Sequence, residues 1–158
     1  MTALELMAAC RRDNQEKARL EARVEELDDA ITCISAFGGA GGRGSVSDRV
    51  AADSARKDEL ERRLKQVKRA LAAEIAACIL LSDALPDTQR RAMRGFYCYG
   101  KSVSILSAEM HYTPRNVYKA LAAGREAAEK ISGETVLDKL PPWYLKRYRD
   151  GDGKEWEA

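Results

Sequence analysis

The chain has a single histidine, His111, so a histidine-based zinc site has almost nothing to build from. Cysteine is sparse as well: Cys10, Cys33, Cys78 and Cys98 stand far apart, with no CxxC pair. Each sits in an apolar helical setting, the pattern of buried free thiols in a reducing cytoplasm rather than of a disulfide frame. Only four prolines occur, two of them adjacent at Pro141-Pro142, so long stretches contain no helix breaker. No apolar run suffices for a membrane: the longest, near Ala70–Leu81, is interrupted by Glu74, and a span needs roughly 20 residues. The N-terminus, MTALELMAACRRDNQ, carries its charges after the apolar part and has no basic leader, so no secretion signal is expected. No nucleophile has a partner base, no carboxylates pair in an apolar setting, and no metal-ligand spacing is visible. His111 falls at a turn, and Glu109 and Glu126 read as solvated helix surface. A non-enzymatic, cytoplasmic protein without a cofactor is expected.

What is abundant is charge, 33% of the chain, and hydrophobic side chains, 45%, with Ala, Leu, Glu, Lys and Arg dominating. These are strong helix formers, so an all-α fold is expected. Residues 3–36 read as one long helix whose positions Leu20, Val24, Leu27, Ile31 and Ile34 form a heptad seam. Upstream the seam decays, with Asp13 and Lys17 on it, so the first turns are expected to fray or to face another partner. GGAGGRGS at 38–45 ends the helix as a flexible connector. It lacks the Gly-Lys-Ser/Thr ending of a phosphate-binding loop, and no strand precedes it. A second helix begins near Ser47-Asp48 or Asp53-Ser54 and runs to about Leu81, with a stripe of Leu60, Leu64, Val67, Leu71, Ile75 and Cys78 or Ile79. Residues 1–81 are thus expected to form a long, coiled-coil-like antiparallel hairpin serving oligomerisation, as a homodimer, or partner contact. The exposed stretch ARKDELERRLKQVKR reads as a solvated face. SDALP at 82–86 marks a boundary. Residues 133–158 are read as a basic-aromatic tail in which Trp143, Tyr144 and Tyr148 anchor the chain end to the body, with the last eight residues disordered.

Charge is unevenly spread. Residues 1–35 hold five Lys/Arg against eight Asp/Glu, whereas residues 86–132 hold eight against four. An acidic front and a basic back point to an anionic partner for the back. Residues 82–132 read as a domain of three helices. The first runs from about Asp87 to Tyr99, with Met93, Phe96 and Tyr97 on one face, and Gly100 ends it. Ser102 caps the second, which points Val103, Leu106 and Met110 inward. His111-Tyr112 leaves room only for a tight turn. Thr113 then caps a third helix with Pro114 at its first position, running to about Ile131 with Val117, Leu121, Gly124, Ala128 and Ile131 on one side. A short helix, a three-residue turn and a longer helix have the spacing of a helix-turn-helix, whose second helix enters the major groove of DNA by its first residues. Here these are Arg115, Asn116, Tyr118 and Lys119. Arg can pair with guanine and Asn with adenine. Ser102 and Thr113 stand where hydroxyls and backbone amides could meet phosphates, and Arg90, Arg91, Arg94 and Lys101 could flank the DNA backbone.

The stretch LPDTQRRAMRGFYCYGKSVSILSAEMHYTPRNVYKALAAGREAAEKI resembles region 4 of sigma factors. It is still more similar to phage late-gene transcriptional regulators of the RinA/ArpU type, through YCYGKSVSILSAEM before and along the second helix and MHYTPRNVY across the turn. SVSDRVAADSA before the second long helix also resembles a feature of that family, and the likeness spans roughly residues 20–131. The resemblance implies sequence-specific binding of double-stranded DNA by the helix starting at Thr113-Pro114, in phage or prophage transcription inside a bacterial host cell, with host RNA polymerase as a further candidate partner. The sequence departs from the sigma pattern at Ile105, where Glu is usual, at Ser107, where Ala or Gly is usual, and at His111, where Gly is common. Pro114 and Tyr118 replace positions that are often charged. The DNA sequence read therefore does not carry over. Nothing corresponds to the sigma region that reads the −10 element, so a complete sigma factor is not expected. Two other readings compete: a small terminase-like subunit that recognises DNA for phage packaging, and a protein-interaction or inhibitor module that does not bind DNA.

Overall fold

The fold is that of a computed structural model, described for residues 1–37 and 45–149. The glycine-rich connector at 38–44, the side chain of Tyr148 and the last eight residues lie outside the described residues. The protein is all-α, with no strand among the described residues. Helix α1 spans Ala3–Phe37 and α2 spans Ser45–Ser82. Helix α3, Asp87–Met93, runs into a π-helical turn, Arg94–Cys98. Helices α4 (Val103–Met110), α5 (Pro114–Glu129), α6 (Gly133–Asp138) and α7 (Pro142–Arg149) follow. No helix among the described residues is long and apolar enough to cross a membrane.

The chain divides into two compact units, and the division is not the one expected from the sequence. One unit is Glu16–Lys68; the other joins Met1–Gln15 to Arg69–Ala158. The boundary expected near residue 81 does not coincide with this division. The start of α1 and the last part of α2 belong with α3–α7. The cause lies in the first turns of α1, where Ala3, Leu6, Met7 and Cys10 follow helical spacing and are buried. They share one hydrophobic core with Ala70, Leu71, Ala77, Cys78 and Leu81 of α2. The decay of the seam at Asp13 and Lys17 marks the change from one set of partners to the other.

In the unit Glu16–Lys68, α1 and α2 run antiparallel. Asp28 pairs with Lys57 at 2.7 Å and Glu21 with Lys68 at 3.4 Å, so the partner number rises on one helix as it falls on the other. Leu20, Leu64 and Val67 are buried together, with Leu60 packed against them. Of the expected seam, Leu20 and Leu27 are buried, while Val24, Ile31 and Ile34 are half-buried. The hydrogen bond from Lys57 to Asp28 raises the lysine pKa, although the pair is open to water.

In the other unit, α5 is the central element. Val117, Ala120, Leu121, Gly124 and Ala128 form its buried face. That face packs in one core with Ala92 and Met93 of α3 and Leu106 and Met110 of α4. Burying side chains of this size contributes about 1.5–3 kcal/mol each for the larger ones, which fixes α5 with its opposite face outward. The expected first helix of this region, Asp87–Tyr99, is α-helical only to Met93 and then widens into the π turn. Gly100, at φ 65°, reverses the chain in the left-handed region that glycine tolerates best. The tail is an anchor as far as it is described: Val136, Leu140 and Tyr144 are buried. The Tyr144 hydroxyl donates to Glu74 Oε1 at 2.5 Å, and Arg69 lies over the Trp143 ring at 4.2 Å.

Candidate nucleic-acid interface

The local sequence between α4 and α5 dictates a sharp reversal. His111 ends α4 with φ 55° and ψ 37°, a left-handed residue that turns the chain out of the helix. The Tyr112 amide donates to the Ser107 carbonyl at 3.1 Å, and the Ser107 hydroxyl donates to the Tyr112 carbonyl, so the turn is held from both ends. Thr113 is extended, and its hydroxyl accepts from the Asn116 amide at 3.3 Å. Pro114 occupies the first helical position, where its missing N–H costs nothing. Ser102 caps α4 in the same way, accepting from the Ile105 amide at 3.3 Å.

With Val117, Ala120 and Leu121 turned to the core, Thr113, Arg115, Asn116, Tyr118 and Lys119 are exposed on the first two turns of α5. Tyr118 is 61% exposed, an unusual position for a large aromatic side chain. The first turn contains no acid, and the first carboxylate of the helix is Glu126. Neither Arg115 nor Lys119 is in an ion pair among the described residues. Two cations at the positive end of a helix dipole oppose helix stability by a few tenths of a kcal/mol. The same arrangement attracts an anion, because the positive end of the helix dipole and these cations act together there. A shallow depression adjoins it, lined by Thr88 and Gln89 of α3, Tyr112 of the turn, and Asn116, Lys119 and Ala120 of α5.

The other expected site residues divide. Arg91 is exposed and lies one turn beyond Thr88 on α3, on the side of that depression. Arg90 is half-buried and pairs with Asp87 at 2.8 Å. Lys101 pairs with Glu109 at 2.7 Å and lies over the Tyr99 ring. Arg94 is engaged within the protein. It donates to Ser82 Oγ at 2.7 Å, to the Ile79 carbonyl at 2.9 Å and to Asp83 at 2.6 Å, closing the C-terminal end of α2. Thr88, Gln89 and Tyr112 were not expected at the surface beside α5. The only local sign of them was their position flanking SDALP and the turn.

Two residues far away in sequence hold the loop that precedes α4. Arg11 donates to the Phe96 carbonyl at 2.5 Å and the Lys101 carbonyl at 3.3 Å, with its guanidinium 3.7 Å from the centre of the Phe96 ring. Asn14 donates to the Cys98 carbonyl at 2.6 Å. These bonds satisfy carbonyls that the π turn and the left-handed Gly100 leave without helical partners. They fix the approach to Ser102 and thus the start of α4.

Metal-binding groups among the described residues converge elsewhere, at the buried Cys10, Cys78 and Cys98, a meeting that their separation in sequence concealed. Cys33 is exposed, contrary to the expectation that every cysteine is buried. No protein-family model, no curated protein and no solved structure matches this chain.

Proposed function

We propose that the chain is a sequence-specific, double-stranded DNA-binding protein, a transcriptional regulator of phage or prophage origin acting in the bacterial cytoplasm. In this reading the first two turns of α5 enter the major groove. The observation that carries it is the exposed set Arg115, Asn116, Tyr118 and Lys119, free of acid, on a helix whose opposite face is locked in the core. The dimensions fit, since a helix with its side chains is about 10–12 Å across and the groove about 12 Å wide. Arg115 and Asn116 carry the donor and acceptor geometry for guanine and adenine edges. Lys119, Arg91 and the capped helix starts at Ser102 and Thr113 serve the phosphates. The resemblance to sigma region 4 and to phage late-gene regulators supports the same assignment. A homodimer through the paired helices of residues 16–68 belongs to this reading, and sedimentation equilibrium tests it.

The deciding experiment is fluorescence anisotropy with duplex fragments from the regions flanking the gene, at two salt concentrations, beside the Arg115→Ala/Lys119→Ala double variant. Both side chains are exposed, so the variant should keep its melting temperature. The expected result is one fragment bound at least about 10³-fold more tightly than the others, with that preference lost in the variant. Equal, weak binding of every fragment by both proteins would sink the proposal and leave α5 as a scaffold.

A further inference from the structure

Cys10 on α1, Cys78 on α2 and Cys98 at the end of the π turn are far apart in sequence, yet their Sγ atoms all lie within 4.8 Å of one another. All three are buried, with 1% exposure or less. A lone buried cysteine is ordinary core packing. Three from three separate elements, turned to one point, are what a thiophilic ion requires. In a zinc–thiolate site with bonds of about 2.3 Å the sulfurs stand about 3.8 Å apart, so the cluster closes on an ion with shifts below about 1 Å. The three thiols also hydrogen-bond to one another. Hydrogen bonds from Cys10 and Cys78, aided by the Arg94 charge, pull the Cys98 pKa down against the cost of burial. For Cys10, the hydrogen bond with Cys78 favours the thiolate, but the bond to Cys98, burial and the charges of Cys98 and Glu74 together push the pKa up. The Cys78 thiol is pushed up by its hydrogen bonds to Cys10 and Cys98 and by burial.

We infer that Cys10, Cys78 and Cys98 form a buried site for one thiophilic, filled-shell metal ion, Zn²⁺ or Cu⁺. Binding forms three metal–sulfur bonds and releases to solvent the protons that the three thiols carry, with no change of oxidation state. Soft sulfur donors select these ions over magnesium or calcium. Glu74 lies one helical turn before Cys78 and is itself buried, with the Tyr144 hydroxyl on its Oε1. Cu⁺ is content with the three sulfurs, whereas zinc prefers a fourth ligand. The ion joins the start of α1, the end of α2 and the π turn, the same elements that Arg11 and Asn14 hold together through the Phe96, Cys98 and Lys101 carbonyls.

The test uses the full-length, reduced chain under anaerobic conditions, titrated with Zn²⁺ and, separately, with Cu⁺, each against a colorimetric chelator. One ion per chain is expected for at least one of the two. Cys78→Ala and Cys98→Ala should each weaken binding more than about 100-fold, while Cys33→Ala leaves it unchanged. Should those variants fail to fold, X-ray absorption on the wild-type complex decides, with three sulfur neighbours expected. Failure of both ions to compete with the chelator, undiminished binding by Cys78→Ala, or fewer than three sulfur neighbours each overturns the site.

Discussion

His111 has the left-handed backbone, φ 55° and ψ 37°, that a residue with a Cβ adopts at a cost of about 1–2 kcal/mol. Glycine removes that strain but frees the unfolded chain, which costs roughly 0.5–1 kcal/mol. The strain is the larger of the two, so His111→Gly should stabilise the protein by about 0.5–1 kcal/mol, read as a higher midpoint in urea. A lower midpoint would mean that the imidazole makes a contact worth more than the strain. Gly124 gives the opposite sign. A Cβ there would stand 2.5 Å from Met93 Cγ and 2.9 Å from its sulfur, and Met93 is fully buried. Alanine gains about 1 kcal/mol of helix propensity over glycine, but overpacking a filled core costs about 1–3 kcal/mol. Because Cγ is not the free end of the methionine, the crowding wins. Gly124→Ala should therefore lower stability by about 1 kcal/mol, with the urea m-value unchanged.

At the scale of elements, the π turn and the loop to α4 depend on a side chain from another helix. Arg11→Ala removes charge-assisted hydrogen bonds to the Phe96 and Lys101 carbonyls and a cation–π contact. A hydrogen bond to a charged group contributes about 1.5–3 kcal/mol, so a loss near 2 kcal/mol is expected, with faster amide exchange concentrated in residues 96–103. Uniform exchange across the chain would contradict that local role. This contact also shows why some elements were legible from the sequence and others were not. The start of α5 was readable because its signals are adjacent: Thr113 as cap, Pro114 at the first position, an apolar stripe behind. The long helices were readable from periodicity. The π turn was not, because its carbonyls are satisfied from 85 residues away, where nothing in the local pattern announces it. The partners of Arg94 at Ile79, Ser82 and Asp83 were hidden for the same reason. The division of α1 between two sets of partners left one trace, polar residues on the seam, whose meaning depends on a core assembled from residues 70–144.

For the whole molecule, the charge map follows the compact units better than it follows the front and back of the chain. Residues 16–68 carry 11 Lys/Arg and 11 Asp/Glu, so the net +2 of the chain lies in the other unit, residues 1–15 and 69–158, with 16 against 14. The excess of positive charge therefore resides in the unit that holds α5, concentrated in residues 86–132 with eight Lys/Arg against four Asp/Glu. Four cations of this unit, Arg90, Arg94, Lys101 and Lys130, are already in ion pairs within the protein and so contribute less to displacing counterions from DNA. Each phosphate neutralised contributes about 0.9 to the slope of log affinity against log salt. Arg91→Ala should lower that slope by about one and weaken binding alike on preferred and unrelated duplexes. Arg115→Ala should instead erode the preference between duplexes, since a base contact discriminates by about 1–3 kcal/mol. The two variants thus separate positioning from reading. If Arg115→Ala changed the salt slope and left the preference intact, Arg115 would be a phosphate contact, and the reading of bases would pass to Asn116 and Tyr118.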